Sequence, residues 1–485
     1  MTIDSLREWI QVLDDAGELV RIQAEVDPYL EIAAICDRVS KAGGDGHGDG
    51  NKALLFERVK GSDMPVLINA FGNARRMALS LGVEHMKDHA ARLEALLEQS
   101  PPEGLLDKLK MIPKLAALGK VFPKHVSKAP CQEVVWKGEE VDLGKIPVLT
   151  TWPQDGGPFI TFPLCVTQDP VSGRRNLGTY RLQVYSKTET GFHTHRHKDA
   201  KRHLDKSEGR LPVAVVIGAD PATCFASVVP APPDVDELLI AGFLRQKPVP
   251  LVPCLTVPLE VPATAEIVLE GWVDPEELRR EGPFGDHTGF YSLADDYPVF
   301  HVECVTTRKN PIYHTTLVGR PPQEDCWMTE GIERLLLPVL KKQFPEVIDY
   351  RMPFEGVAHN LMLLKIRKQY PGHARKMMHA LWGLGQAMFT KVIVVVDEDV
   401  DIHSDSEVVW KVLNHIDPQR DLEFAMGPIE TLDHASRAFC YGSKVGIDAT
   451  RKWPEEGFTR DWPDEIRMSS EVLDLVQRRW REYGL

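Results

Sequence analysis

Glu281 and Asp286 stand five residues apart in Glu-Gly-Pro-Phe-Gly-Asp-His-Thr-Gly, the sequence of residues 281–289. Pro283 has no N–H to give a helix or sheet, and Gly282 and Gly285 tolerate backbone angles that other residues avoid. The segment is therefore expected to form a rigid, folded loop. Two carboxylates on such a loop can divide proton chemistry between them. A nearby cation keeps one ionised while burial or like charge raises the other, which provides a base and an acid near neutral pH. An acidic, solvated surface turn would carry the same spacing.

His193, His195 and His197 recur at alternate positions of Gly-Phe-His-Thr-His-Arg-His, residues 191–197, and share one face if that segment is a strand. Three imidazoles with an open position would suit zinc in a metallohydrolase. The basic neighbours Arg196, Lys198, Lys201, Arg202 and His203 fit equally well with an anion-binding segment whose histidines are solvated. In Asn-Leu-Gly-Thr-Tyr-Arg, residues 176–181, a carboxamide and a guanidinium occupy opposite faces of an extended chain. Asn176 could ligate a hard cation such as magnesium or manganese, and Arg181 could grip a carboxylate through its fork. A strand end with one exposed arginine would look the same.

The elements that must hold these residues follow from periodicity. Leu6, Trp9, Ile10 and Leu13 share a helical face that ends near Gly17, and Asp27-Pro28 is expected to cap a second helix. With the apolar runs 53–56 and 65–70 they suggest an N-terminal α/β domain, residues 1–125. The glycine-rich stretch 41–51 is expected as a solvated loop, since its Asp-Gly-His-Gly-Asp matches no calcium-loop spacing. Strands are expected over 159–167, 177–186, 255–261, 267–273 and 299–306, with Pro/Gly-rich turns between them. They make residues 126–318 a barrel-like β domain. Inside it, the run 213–217 leads to an Asp220-Pro221 helix cap. Residues 319–485 read as a C-terminal α/β domain, with strands 361–366 and 392–396 alternating with helices 372–382 and 408–413, which implies a parallel sheet. Val472, Leu473, Val476 and Trp480 form one face of a last helix, which can dock on its own body or on another subunit. The fold class is thus a multidomain α+β and α/β protein.

Composition narrows the function. The 485 residues and 43% hydrophobic content support several real cores, and no apolar run is long enough for a membrane helix. The start of the chain has no basic-then-apolar signal, so a cytoplasmic location is expected. A net charge of −14 disfavours nucleic acid as a partner. The eight cysteines include no Cys-x-x-Cys pair and read as small core residues.

The order of the motifs resembles the UbiD family of decarboxylases. The resemblance runs from 176–181 through His197, Pro-Pro-Asp-Val-Asp-Glu (232–237), residues 260–271 and the 281–289 loop. It continues through Ile-Tyr-His-Thr-Thr (312–316), Gly-Arg-Pro-Pro (319–322), Lys-Gln-Phe-Pro (342–345) and Gly-Ser-Lys-Val-Gly-Ile-Asp-Ala-Thr (442–450). Lys-Trp-Pro at 452–454 and the Asp-His-Thr-Gly ending look most like the branch acting on 4-hydroxy-3-polyprenylbenzoate in quinone biosynthesis.

The resemblance implies prenylated FMN in a split β-barrel, with a divalent ion, usually manganese, and a potassium or sodium ion beside its phosphate. Asn176, His197 and Glu237 match the family's metal ligands, a mostly oxygen set that suits manganese better than zinc. Ala226, Ser227 and Val229 match the monovalent-ion segment, Lys391 the phosphate-contacting lysine, and Tyr180, Arg181 and Arg196 further cofactor contacts. The catalytic Glu–Arg–Glu network maps onto Glu281, Arg181 and Asp286, one methylene shorter at the third position, which argues for a different substrate pose. His193 and His195 are expected not to touch the metal. The implied activity is decarboxylation of an aromatic acid. The implied partners are that acid, a flavin prenyltransferase that supplies the cofactor, further copies of the chain in a dimer or hexamer, and a membrane surface if the substrate is lipidic. A decarboxylase of another aromatic, heteroaromatic or α,β-unsaturated acid, the metallohydrolase, and a flavin-binding protein without chemistry remain as alternatives.

Overall fold

A computed structural model describes residues 2–44, 46–98, 119, 121–195, 198–231 and 235–485. Ser5 caps the first helix, Leu6–Asp15, by accepting a hydrogen bond from Glu8 N, and the helix buries Leu6, Trp9, Ile10 and Leu13. The next helix, Glu31–Ser40, starts later than expected. Asp27 does not cap it: its carboxylate accepts the Tyr29 N–H instead, and Leu30 occupies the cap position with φ 66°. The short aspartate side chain closes a local turn before it can reach the helix. Strands Leu19–Val26, Ala53–Val59 and Val66–Ile68 form the N-terminal sheet, and Tyr313–His314 joins it from much later in the chain.

The central sheet places its strands in the order Glu189–Gly191, Asp295–Thr307, Ile267–Glu281, Leu211–Ile217, Leu164–Gln168 and Arg175–Thr179, and Val134–Lys137 also pairs with the second of these. All of these pairings are antiparallel. The strand Leu211–Ile217 is apolar on both faces. Ala214 and Val216 enter a core with the first helix, Phe71 and Trp327, while Val213, Val215 and Ile217 enter the opposite core with Phe192 and Phe300.

Several expected strands divide or extend. The 159–167 run breaks into Phe159–Ile160 and Leu164–Gln168 around Pro163, which cannot donate to a ladder. The 177–186 run breaks into Arg175–Thr179 and Leu182–Gln183, leaving Tyr180 and Arg181 in the gap. Strand 255–261 is reduced to Glu260–Pro262, paired with Pro250–Pro253. The 267–273 and 299–306 strands lengthen into one hairpin, Ile267–Glu281 with Asp295–Thr307, carrying irregularities at Glu270/Gly271 and Asp274/Leu278. Polar alternation beyond residue 273 hid this extension, because that part of the hairpin is only half buried. Asp220 caps helix Pro221–Ala226 as expected.

After helix Glu324–Gln343 comes a five-stranded sheet in the order Val347–Arg351, Leu361–Ile366, Val392–Val396, Tyr441–Asp448, Leu422–Pro428. Its inner pairs are parallel, as the helix–strand alternation predicts, and both edge pairs are antiparallel. Met377, Met378 and Leu381 of helix His373–Trp382 cover one face, and Val408 of helix Asp405–His415 with Val400 and Ile402 covers the other. The last helix, Ser470–Arg479, does not bury its apolar stripe: Val472, Leu473 and Trp480 are exposed. No helix among the described residues is long and apolar enough to cross a membrane.

Gly271 lies at the first irregularity of the long hairpin, where a Cβ would come within 1.8 Å of the His301 carbonyl oxygen. Gly271→Ala is expected to cost about 2 kcal/mol or more, since backbone must move to admit the methyl group. A urea midpoint unchanged from wild type would contradict this packing.

Candidate active site

The long hairpin strand ends at Glu281, which is 1% exposed, and the chain then turns through Gly282 at φ 85°. Gly282 N donates to Gln183 Oε1 at 2.7 Å and Gly285 N to Asp155 Oδ1 at 2.8 Å. Gly285 packs so closely on Trp152 that a Cβ would lie 2.1 Å from its ring. These bonds fix the loop from both sides. Phe284–Gly285 pairs with Tyr291–Ser292, and the intervening turn closes through Asp286 N donating to Phe290 O at 3.1 Å. Asp286, 6% exposed, is thereby aimed back at the sheet. A solvated surface turn is excluded.

Arg181, in the gap between two short strands, joins both acids. Its Nε donates to Glu281 Oε1 at 3.1 Å, one terminal nitrogen to Asp286 Oδ2, and the other to Ser292 Oγ at 3.0 Å. The guanidinium lies 4.6 Å from the centre of the Phe284 ring, a favourable face for a cation. Burial alone would raise Asp286, but the Arg181 charge and the His287 bonds overcome it and hold the carboxyl well below the usual range.

Each acid also begins a chain of imidazoles. Glu281 Oε1 meets His193 Nδ1 at 2.6 Å, His193 Nε2 meets His195 Nε2 at 3.1 Å, and His195 Nδ1 meets Thr431 Oγ1 at 3.0 Å. Asp286 Oδ1 meets His287 Nδ1 at 2.9 Å, and His287 Nε2 meets His359 Nε2 at 3.0 Å. Thr431 and His359 belong to the C-terminal layer, so the site lies where that layer meets the central sheet. Burial and the nearby Arg181 charge lower His193, whereas His287 is raised to about 9: burial opposes its charge, but the Asp286 hydrogen bond and charge prevail. Tyr297, 4.1 Å from the His193 ring, is pushed up to about 12 by burial. Among the described residues, the buried Glu281 Oε2 and Tyr185 hydroxyl oxygens have no hydrogen-bond partner. Gly191 leaves room for both, since a Cβ there would lie 2.7 Å from the first and 2.8 Å from the second.

Two of the expected metal residues, Asn176 and Glu237, lie toward the other end of strand Arg175–Thr179. Asn176 Nδ2 is 3.4 Å from both Thr167 Oγ1 and Tyr180 OH, and Glu237 Oε2 accepts the Leu177 N–H at 2.9 Å. Asn176 and Glu237 are thus neighbours. Burial pushes Glu237 up to about 7, and among the described residues no lysine or arginine forms an ion pair with it. Burial also raises the Tyr180 hydroxyl. Ser227 Oγ bonds Thr179 Oγ1 at 2.9 Å, and Val229 is buried. Lys391 stands in the C-terminal layer, paired with Asp433, and its N–H donates to His359 O. Arg196 and His197 lie outside the described residues. The sequence reading missed Ser292, Tyr297, His359 and Thr431 as neighbours of the acids. His287 was visible inside the loop motif, whereas nothing in the local sequence marks His359.

Three family models match successive parts of the chain: the 3-octaprenyl-4-hydroxybenzoate carboxy-lyase N-terminal domain over residues 10–96, its Rift-related domain over 124–321 and its C-terminal domain over 326–449. An uncharacterised protein of Archaeoglobus fulgidus is 46% identical over 487 residues, covering 99% of both chains. The chain belongs to the UbiD family. It is a carboxy-lyase. Among solved structures, an evolved dimeric form of the UbiD-class enzyme HmfF from Pelotomaculum thermopropionicum, in complex with prFMN, is 31% identical with a TM-score of 0.79, covering 97% of this chain and 98% of that one. The closed form of the vanillic acid decarboxylase of Sedimentibacter hydroxybenzoicus is 27% identical with a TM-score of 0.85, covering 99% of each.

In this UbiD-family site the raised value of His287 has a stability consequence. Its contribution is fully present below the unfolded-state value near 6.5 and is lost as pH rises through about 9. His287→Asn should therefore cost on the order of 1–3 kcal/mol at pH 6 and progressively less toward pH 10. Denaturant midpoints of both proteins across that range test it, and a gap that widens with pH would contradict the assignment.

Proposed function

We propose that the protein is a prenylated-FMN-dependent, non-oxidative decarboxylase of an aromatic acid, acting on 4-hydroxy-3-polyprenylbenzoate in quinone biosynthesis. The observation that carries this reading is the largely enclosed Arg181 side chain joined to both of the buried acids Glu281 and Asp286. Loss of carbon dioxide leaves an electron pair on carbon that no side chain here can hold, and the modified flavin supplies that electron sink when bound. The chain's own residues do the rest. Arg181 fixes the two carboxylates and presents a cation to the substrate carboxylate. Glu281, whose Oε2 has no partner among the described residues, and Asp286, held ionised beside His287, are the groups able to move a proton at the reacting carbon. Phe284, Phe159 and Tyr297 line this region with aromatic surface that limits water, the first two with ring centres 4.6 Å apart.

The residues fit the implied groups. Glu237 is a buried carboxylate with a backbone N–H but, among the described residues, no cationic partner, which a divalent ion would supply; Asn176 beside it and His197 would complete the set, with manganese the metal of choice. Ser227 and Val229 would serve the potassium or sodium ion, and Tyr180, Arg196 and Lys391 the flavin and its phosphate. His193 and His195 place their ring nitrogens on Glu281, each other and Thr431, which leaves the three-histidine zinc site without support. The prenylated substrate is supported by the family-model description and by Phe290 and Leu293 beside the catalytic loop, 59% and 88% exposed, an apolar rim suited to a lipid chain. Vanillic acid turnover by the Sedimentibacter enzyme favours a simpler hydroxybenzoate as the second reading. A flavin prenyltransferase as supplier, a homo-oligomer, cytoplasmic residence and peripheral membrane contact through the lipidic substrate complete the proposal.

Co-expression with a flavin prenyltransferase, followed by an absorption spectrum and a screen of polyprenylated and simple hydroxybenzoates for carbon dioxide release, tests the activity. Glu281→Gln should lower turnover by at least about a hundredfold while the flavin stays bound. Near-normal turnover in that variant would reduce Glu281 to a structural carboxylate. Metal analysis provides an independent check: Asn176→Ala and Glu237→Gln should lose the divalent ion, and His193→Asn and His195→Asn should keep it. The reverse pattern would restore the histidine site.

A further inference from the structure

His287 and His359 come from different parts of the chain and share one hydrogen bond, Nε2 to Nε2 at 3.0 Å. His287 lies in the catalytic loop and bonds Asp286 through its other nitrogen at 2.9 Å. His359 follows the short turn Phe354–Gly356 and precedes the strand Leu361–Ile366. Two residues just before it, Val357 and Ala358, adopt φ 45° and 65°, left-handed conformations that are costly for side chains of their type, above all the β-branched valine. Strain of this kind persists only where the surroundings impose it, and here it delivers one imidazole to the catalytic loop. The two rings meet nearly edge to face, with centres 5.2 Å apart.

An N-to-N contact between imidazoles needs one donor and one acceptor. The groups around the pair decide which is which. His287 faces Asp286 on its own loop, Asp325 at the start of helix Glu324–Gln343, and Glu430 in the segment after strand Leu422–Pro428. His359 faces Glu430 and Asp433, and Lys391 is paired with that aspartate. The carboxylates crowd His287, which favours its cation, while burial and the His287 charge keep His359 neutral. His287 therefore donates from both nitrogens, and His359 accepts at Nε2.

We propose that His359 is a positioning residue for decarboxylation: by accepting from His287 across the cleft, it holds that imidazolium against Asp286, so that the acid is oriented and kept ionised only while the C-terminal domain is docked on the catalytic loop. This rests on the decarboxylase reading for its catalytic consequence, not for the pairing itself. An approach of the C-terminal domain is then sensed at Asp286 through two rings. Without the acceptor, the partly buried His287 cation would lose the partner of its Nε2–H, and its hold on Asp286 would weaken.

Two substitutions separate positioning from packing. His359→Leu fills space but accepts nothing, whereas His359→Gln restores an acceptor. Histidine-specific hydrogen–deuterium exchange read by mass spectrometry reports the titration midpoint of His287 in the full chain without any substrate. The leucine variant should lower that midpoint by about one unit, and the glutamine variant should recover most of it. With cofactor-loaded enzyme and a hydroxybenzoate that the wild type decarboxylates, kcat should fall about tenfold in His359→Leu with little change in KM, and recover in His359→Gln. An unchanged His287 midpoint in His359→Leu, or a glutamine variant no better than leucine, would overturn the proposal. If the wild type turns over none of the acids, the function reading fails while the exchange measurement still decides the pairing.

Discussion

Arg181 carries a charge held between two buried acids, and the geometry of the site follows from that constraint. A guanidinium removed from water needs carboxylates on its donors, and a carboxylate as buried as Glu281 needs a cation or hydrogen bonds in return. Neither is stable in place without the other. The planar fork adds direction, since its nitrogens diverge toward Glu281, Asp286 and Ser292 at once. Two segments far apart in the chain are thereby held in one relative position: the gap after Arg175–Thr179, and the end of the long hairpin strand with the turn that follows it.

The two histidine chains extend this charge cluster outward. One leads from Glu281 to Thr431 and the other from Asp286 to His359, so both acids are tied to the C-terminal layer. His287 helps to hold Asp286 ionised, and the bonds of both chains cross from the central sheet to the C-terminal layer. Toward the opposite end of the same strand, Asn176 and Glu237 are buried neighbours, with the Glu237 carboxylate accepting the Leu177 N–H. The strand that ends near Arg181 thus runs from the Arg181–Glu281–Asp286 cluster to a buried carboxylate and carboxamide.

Membership of the UbiD family assigns the chemistry as decarboxylation, whereas substrate choice lies in features that vary within one fold. Near the buried Asp286, Phe290 and Leu293 leave apolar side chains exposed. The unburied stripe on the last helix, Val472, Leu473 and Trp480, is a further apolar surface outside the site.

The sequence alone determined the pieces whose cause is local. Gly282, Pro283 and Gly285 announced a folded loop at the two acids, because their backbone constraints hold in any context. The strands Leu361–Ile366 and Val392–Val396 were legible because they are apolar on both faces and bounded by breakers. The order of motifs also pointed to the family. What the sequence left open was decided by contacts between distant residues. Whether His193 and His195 faced a metal or an acid depended on where Glu281 came to rest, and the polar stretch beyond residue 273 became strand only because Asp295–Thr307 lies beside it. His359 had no mark at all. An imidazole's role is set by the group across the hydrogen bond, and that group is chosen by the packing of one layer on another, which no local pattern encodes.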